Sequence, residues 1–319
     1  MKSLVGHPGR RGVALLLTLL AVGLLSASTV YFIRMTRLEA TVAENVRSFT
    51  QAHIFARAGL EGAMTILALD DGKYDASSEP WAKFDQAAAL SPVILESGSF
   101  TGRIEDLSAR FNINTVIDPK GLVVKERLAQ LERLFDLLEL DKSAIPALLD
   151  WLDPDDETRP GGAEESYYAH LPRPYPCGNG PFEHPGRPAQ VKGWAPFLRP
   201  NEKGRTGPMD LITVHSDGLI NINTAGEAVL MSLDDGLTRA VAQEIITRRT
   251  AKPFAKLDEL KETAGVTPQL FARLAGRLTV SSNWFLVVIE GRHREARVML
   301  TAVVRRSGSG VKIVFYQLG

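Results

Sequence analysis

The run VALLLTLLAVGLLSASTVYFI, residues 13–33, contains no charged side chain, and it narrows what this chain can fold into more than any other feature. A helix over it is about 30 Å long at 1.5 Å per residue, close to the hydrocarbon thickness of a bilayer. The residues before it include Lys2, Arg10 and Arg11 and no acid. Positive charge on that side predicts that the N-terminus stays in the cytoplasm while the remainder crosses. A secretory signal would have a shorter apolar region followed by a small-residue cleavage site. Here no proline interrupts residues 13–69, and beyond Arg34 the residues Leu38, Val42, Val46, Phe49, Ala56, Leu60, Ala63, Met64 and Leu67 recur at helical steps. One continuous helix of roughly 85 Å is predicted, and Asp70-Asp71-Gly72 ends it.

The junction Arg10-Arg11-Gly12-Val13 resembles the processing site of type IV prepilins and type II secretion pseudopilins. That resemblance implies cleavage by a membrane prepilin peptidase between Gly12 and Val13, with methylation of the new N-terminus. Most members of those families have glutamate at the fifth mature position, where this chain has Leu17. A subunit lacking that carboxylate has no N-terminal amine to pair with above it, which suits the tip of a fibre. An ordinary signal anchor that is never cut is the other reading of the same leader.

Composition limits the rest. A chain of 319 residues, 45% hydrophobic and 23% charged, is neither disordered nor polytopic. Formal net charge is zero, and loss of the leader's three basic residues leaves 34 basic against 37 acidic, or −3, which offers no general attraction to nucleic acid. The lone Cys177 cannot form an internal disulfide. Strand patterns occur at Ser99–Ile104, Trp284–Glu290, Arg297–Val304 and Val311–Tyr316, with Arg305–Gly310 as a turn. A small antiparallel sheet built from such distant segments requires its middle to be looped out. The expected fold is therefore α+β: the long helix packed on a pilin-like sheet (34–110 and 281–319), with a large all-α domain inserted at 111–280.

Within that insertion Phe111-Asn112-Ile113-Asn114-Thr115 is echoed by Ile220-Asn221-Ile222-Asn223-Thr224, and Thr115 and Thr224 are placed to cap or turn the chain. The second copy runs on through residues 225–265 in a pattern that resembles the helix-hairpin-helix unit of DNA-uptake and repair proteins, assigned here to 220–265. In those proteins hairpin glycines present backbone N–H groups to phosphate. In this chain Asp234-Asp235-Gly236-Leu237 puts carboxylates where a phosphate would come, which favours a scaffold for protein contacts.

The stretch LLDWLDPDDETRPGGAEE, residues 148–165, taken with the two Asn-Ile-Asn-Thr segments and the leader, strongly resembles the protein K family of type II secretion, the large minor pseudopilins. The resemblance covers nearly the whole chain and is weakest over residues 177–207, for which no local fold is predicted. It implies a single-pass protein of the bacterial inner membrane whose bulk lies in the periplasm and which caps a pseudopilus. Its implied partners are other minor pseudopilins of a tip complex, the major pseudopilin, the prepilin peptidase and the inner-membrane assembly platform. Family members also bind calcium in the α-domain. Several carboxylates on a Gly-containing loop suit Ca²⁺, and Asp153, Asp155, Asp156, Glu157 and Glu164 are the expected ligands, although their spacing is not that of an EF-hand.

No HExxH, phosphate loop, GxSxG turn or Cys/His pairing occurs. His215 and Asp217 sit in a short turn and are read as turn chemistry, so catalysis is not expected. The competing class is a membrane-anchored helix-hairpin-helix DNA-binding protein using residues 221–260, for which basic hairpin residues and salt-dependent affinity are required.

Overall fold

The computed structural model describes residues 9–195, 207–308 and 310–319. Most of the leader (1–8), Ser309 of the expected turn, and 196–206 at the end of the irregular stretch lie outside the described residues. Helix α1 is unbroken over Gly9–Leu69, roughly 90 Å at the standard rise. Four antiparallel strands follow it in space in the order β1-β6-β7-β8: β1 Ser99–Asp106, β6 Trp284–His293, β7 Ala296–Ser307 and β8 Gly310–Leu318. Between β1 and β6 lie the two-residue strands β2 (Phe111–Asn112), β3 (Ile212–Thr213), β4 (Ile220–Asn221) and β5 (Leu278–Thr279). Short helices α2 (Phe84–Ala88) and α3 (Ser91–Ile94) occupy the polar segment after α1.

Strand alternation explains why α1 and the sheet stay together. On β6 every second residue is buried, among them Phe285, Val287 and Ile289, and β7 contributes Val298, Leu300, Ala302 and Val304. Against them α1 sets Ala52, Ala56, Leu60, Ala63 and Leu67, spaced three and four apart. The alanines let backbone meet backbone: a Cβ at Gly291 would lie 2.1 Å from the Ala52 carbonyl oxygen. Leu38, Val42, Val46 and Phe49 continue the apolar pattern of α1 but are more than half exposed, and the β6–β7 turn meets this part of the helix at Glu44 through Arg294. Arg305 and Arg306 lie on β7 rather than in the expected turn, paired with Lys312 and Val311 of β8.

The insertion has its own core, drawn from residues 111–278. Its helices include α4 (Lys125–Leu137), α5 (Ile145–Leu152), α6 (Glu165–Ala169), α7 (Glu227–Leu233), α8 (Arg239–Ala251) and α9 (Pro268–Leu274). To these the structure adds two short parallel ladders, β2 with β3 and β4 with β5. The ladders expose an internal repeat at atomic detail. Asn114 accepts the Phe182 N–H at 2.8 Å and donates to the Phe182 and Val214 carbonyls. Asn223 accepts the Phe254 N–H at 2.9 Å and donates to the Phe254 and Val280 carbonyls. In each copy the first asparagine, Asn112 or Asn221, accepts the N–H of the second. Neither threonine caps an α-helix: Thr115 donates to the Asn112 carbonyl, and Thr224 donates to Asp106.

Candidate functional site

Three parts of the molecule carry the candidate chemistry: the free length of α1, the acidic loop after α5, and the hairpin between α7 and α8.

Residues 12–69 form a helix long and apolar enough to cross a membrane, with a mean hydropathy of 2.3 over its most apolar window. Gly12 and Val13 lie within this helix, and Leu17 is 60% exposed on it. Its exposed apolar side chains run from Val13 to Phe49, with Ile54 and Leu69 beyond, so much of the helix presents apolar surface that the rest of the chain leaves uncovered.

The acidic loop is held by an unusual amount of buried polar structure. Trp151 is 1% exposed, stacked on Phe182 at 5.9 Å and met edge-on by Tyr168 at 5.1 Å. Beside it the buried Asp150 accepts the Ala163 N–H at 2.8 Å and the Arg159 guanidinium at 2.8 Å. The same guanidinium reaches Asp153. These contacts explain the two glycines of the motif: Gly161 has φ +83°, and a Cβ on Gly162 would fall 1.9 Å from the Asp150 carboxylate.

Of the five expected ligands the structure brings three together. Asp153, Asp155 and Glu164 each offer a carboxylate oxygen within 4.8 Å of the others. Asp156 turns away to accept from Asn179 at 3.0 Å, and Glu157 stays exposed, using its backbone N–H on Asp155. Glu164 is 2% exposed with neither carboxylate oxygen hydrogen-bonded, and Asp153 Oδ1 is likewise unpartnered. Burial pushes the Glu164 carboxyl up to about 7 and raises Asp153. A buried carboxylate without partners costs several kcal/mol of order unless something neutralises it. Sequence reasoning missed Asp150, which organises the loop, because within the pattern of α5 it reads as one more helix residue. Its signal was the Arg159 and Gly162 that answer it. Cys177 lies beside Glu164 with its thiol pushed up to about 12 by burial, so it is held protonated.

The hairpin is closed by its own acids. Asp234 accepts the Gly236 N–H at 2.9 Å and both Nε and Nη2 of Arg273 at 2.9 and 2.8 Å. Asp235 pairs with Arg133 at 2.6 Å. Arg249 points inward, donating to the Ile222 and Ala225 carbonyls at 2.7 Å, and Arg248 pairs with Glu262. Arg248 and Arg249 are thus engaged within the fold. His215 and Asp217 do not meet as a catalytic pair: the His215 ring stacks on Trp284, while Asp217 accepts from Trp284 and Asn283.

A family profile described as type II secretion system protein K matches residues 109–199, and one described as a helix-hairpin-helix motif matches 215–279. Type II secretion system protein K of Pectobacterium carotovorum subsp. carotovorum is 26% identical over 324 residues, covering 97% of each chain. The protein of the same description from Pseudomonas aeruginosa PAO1 is 25% identical over 327 residues, covering 98% of this chain and 93% of the relative. That of Aeromonas hydrophila is 26% identical over 336 residues, covering 95% of each. Among solved structures, a chain of the GspK-GspI-GspJ complex of the enterotoxigenic Escherichia coli type 2 secretion system superposes with a TM-score of 0.66 at 20% identity, covering 89% of this chain and 99% of that one.

Proposed function

We propose that this chain, which belongs to the type II secretion system protein K family, is the minor pseudopilin that caps the periplasmic pseudopilus and helps to start its assembly. The observation that carries this reading is the joining of one very long, mostly uncovered apolar helix to a small sheet that bears a bulky, separately cored insertion. The helix supplies the packing surface that fibre subunits share, and the insertion leaves no room for another subunit to stack above it. The absence of glutamate at Leu17 supports the same end position. The partners are minor pseudopilins of the kind named in the solved three-protein complex, together with the major pseudopilin and the assembly platform. Anchoring is in the inner membrane through residues 13–33, after prepilin peptidase has cut between Gly12 and Val13.

The acidic loop fits the calcium expected of the family, because Glu164 is buried without a hydrogen-bond partner and oxygen is the only donor type the cluster offers. Asp153, Asp155 and Glu164 would hold the ion, which supplies charge neutralisation and a cross-link across the loop. Arg159, itself held by Asp150, orients Asp153. Against the DNA-binding alternative stand the internal pairs of Asp234 and Asp235.

Intact mass of the membrane-expressed protein, with and without a co-expressed prepilin peptidase, tests the assignment. Loss of residues 1–12 with gain of one methyl group is the expected result. Gly12→Ala abolishes both processing and secretion, and normal secretion by that variant overturns the reading.

A further inference from the structure

Where α1 ends, the chain makes a tight loop whose carboxylates exceed the charge available to balance them. Asp70, Asp75 and Glu79 each offer an oxygen within 4.8 Å of the others. Asp75 is 0% exposed. Its Oδ2 accepts the Ser282 N–H at 2.7 Å and Arg306 Nη2 at 2.6 Å, while its Oδ1 is buried with no partner at all. Arg306 also reaches Asp70 and the Ser282 carbonyl. Glu79 uses one oxygen, Oε2, for the Ala76 N–H at 2.7 Å and the Trp81 indole at 3.1 Å. Among the described residues Arg306 is the one basic side chain paired with these three acids. The buried Asp106 adds further negative charge and is already saturated by Asn221, Thr224, Ser282 and the Ser108 N–H.

We infer that Asp70, Asp75 and Glu79 bind a divalent cation of the calcium type at the root of the insertion. Three acids against one guanidinium leave two negative charges in a largely enclosed place, and a hard cation neutralises them where a second organic cation is absent. The guanidinium occupies Oδ2 of both aspartates, and the buried Asp75 Oδ1 is the oxygen left without a partner. Flexible oxygen ligands on one short loop suit Ca²⁺ better than the strict octahedron of Mg²⁺. Ser282, where the chain returns to β6, is tied to the same Asp75, so the ion would fix the insertion's root against the end of α1. This site shares no residue with the acidic loop and does not depend on it.

Bound calcium is counted by equilibrium dialysis on the full chain in detergent, in wild-type and Glu164→Gln backgrounds. Glu79→Gln keeps the hydrogen bonds to Ala76 and Trp81 possible while removing the charge, and it is expected to bind one calcium fewer in both backgrounds. In the Glu164→Gln background, terbium emission sensitised by the adjacent Trp81 is expected and is lost with Glu79→Gln. Asp70→Asn, at the partly exposed edge, gives the same loss should Glu79→Gln not fold. A Glu164→Gln chain that binds no calcium at saturating concentration overturns the inference without any junction variant. If the acidic-loop reading alone is wrong, Glu164→Gln leaves the count unchanged while Glu79→Gln still lowers it.

Discussion

Asn223 shows how much a single amide can hold. It is 2% exposed, and its two ends satisfy both backbone groups of Phe254. Asn223→Ala strands a buried N–H and C=O together, which costs about 3 kcal/mol. Urea denaturation of the full chain is expected to show that loss, whereas Thr250→Ala, on the exposed side of α8, changes stability by less than ~0.5 kcal/mol. Glu164 is the corresponding residue of the acidic loop. Calcium at a hundredfold excess over its dissociation constant stabilises by about 2.7 kcal/mol per site, and Glu164→Gln is expected to shrink the calcium-induced rise in Tm. Calorimetry showing an identical rise in both proteins would remove Glu164 as a ligand. The asparagines were legible from sequence because they stand in two copies of one tetrapeptide. Their partners Phe182 and Phe254 were not, since they lie 68 and 31 residues away with no pattern linking them.

Elements differ in how plainly the sequence announces them. α1 and strands β1, β6, β7 and β8 follow directly from apolar periodicity. The hairpin from α7 to α8 could be read only as acidic, because the cation that answers Asp234 sits on α9 at Arg273. That pair ties three helices together and makes a pH prediction. The Arg273 guanidinium holds the Asp234 carboxyl down at about 2, below its ordinary 3.8. A folded-state value below the unfolded one stabilises fully above pH ~4 and is lost as pH falls through about 2. With Arg273 half-exposed and screened by solvent, the contribution is about 1–2 kcal/mol. Asp234→Asn is therefore expected to be less stable than the parent by that amount at neutral pH. The gap should close as unfolding is measured at successively lower pH between 4 and 2. A gap that does not change with pH would assign the loss to packing rather than charge.

At the scale of the whole molecule, the sheet and the insertion have separate cores, and the insertion leaves and returns at neighbouring points. Asp106, the last residue of β1, is the register partner of Phe285 on β6, so the chain diverges for well over a hundred residues and comes back to where it started. The distance between strand patterns made that topology readable. The seam was not, because it is built from scattered polar residues: Asp106 with Asn221, Thr224 and Ser282, and Arg306 with Asp70 and Asp75. Contact continues on the sheet's outer face, where Pro185 and Pro188 line a small cavity with Leu286 and Val303, and where His184 meets Phe315. If the core under α1 is sufficient for the pilin-like part, replacing residues 108–283 with a two-residue Asn-Gly turn, which sets Leu107 opposite Trp284, should leave a β1–β6 hairpin in its present register, provided the uncovered Leu286 and Val303 are changed to threonine. Such a chain is expected to retain antiparallel sheet by amide exchange, to be processed at Gly12, and to fail in secretion because nothing then distinguishes the tip. Should it secrete normally, the insertion is not what ends the fibre. Should it fail to form the sheet even with both threonines, the polar seam is part of the folding core and the two halves are one cooperative unit.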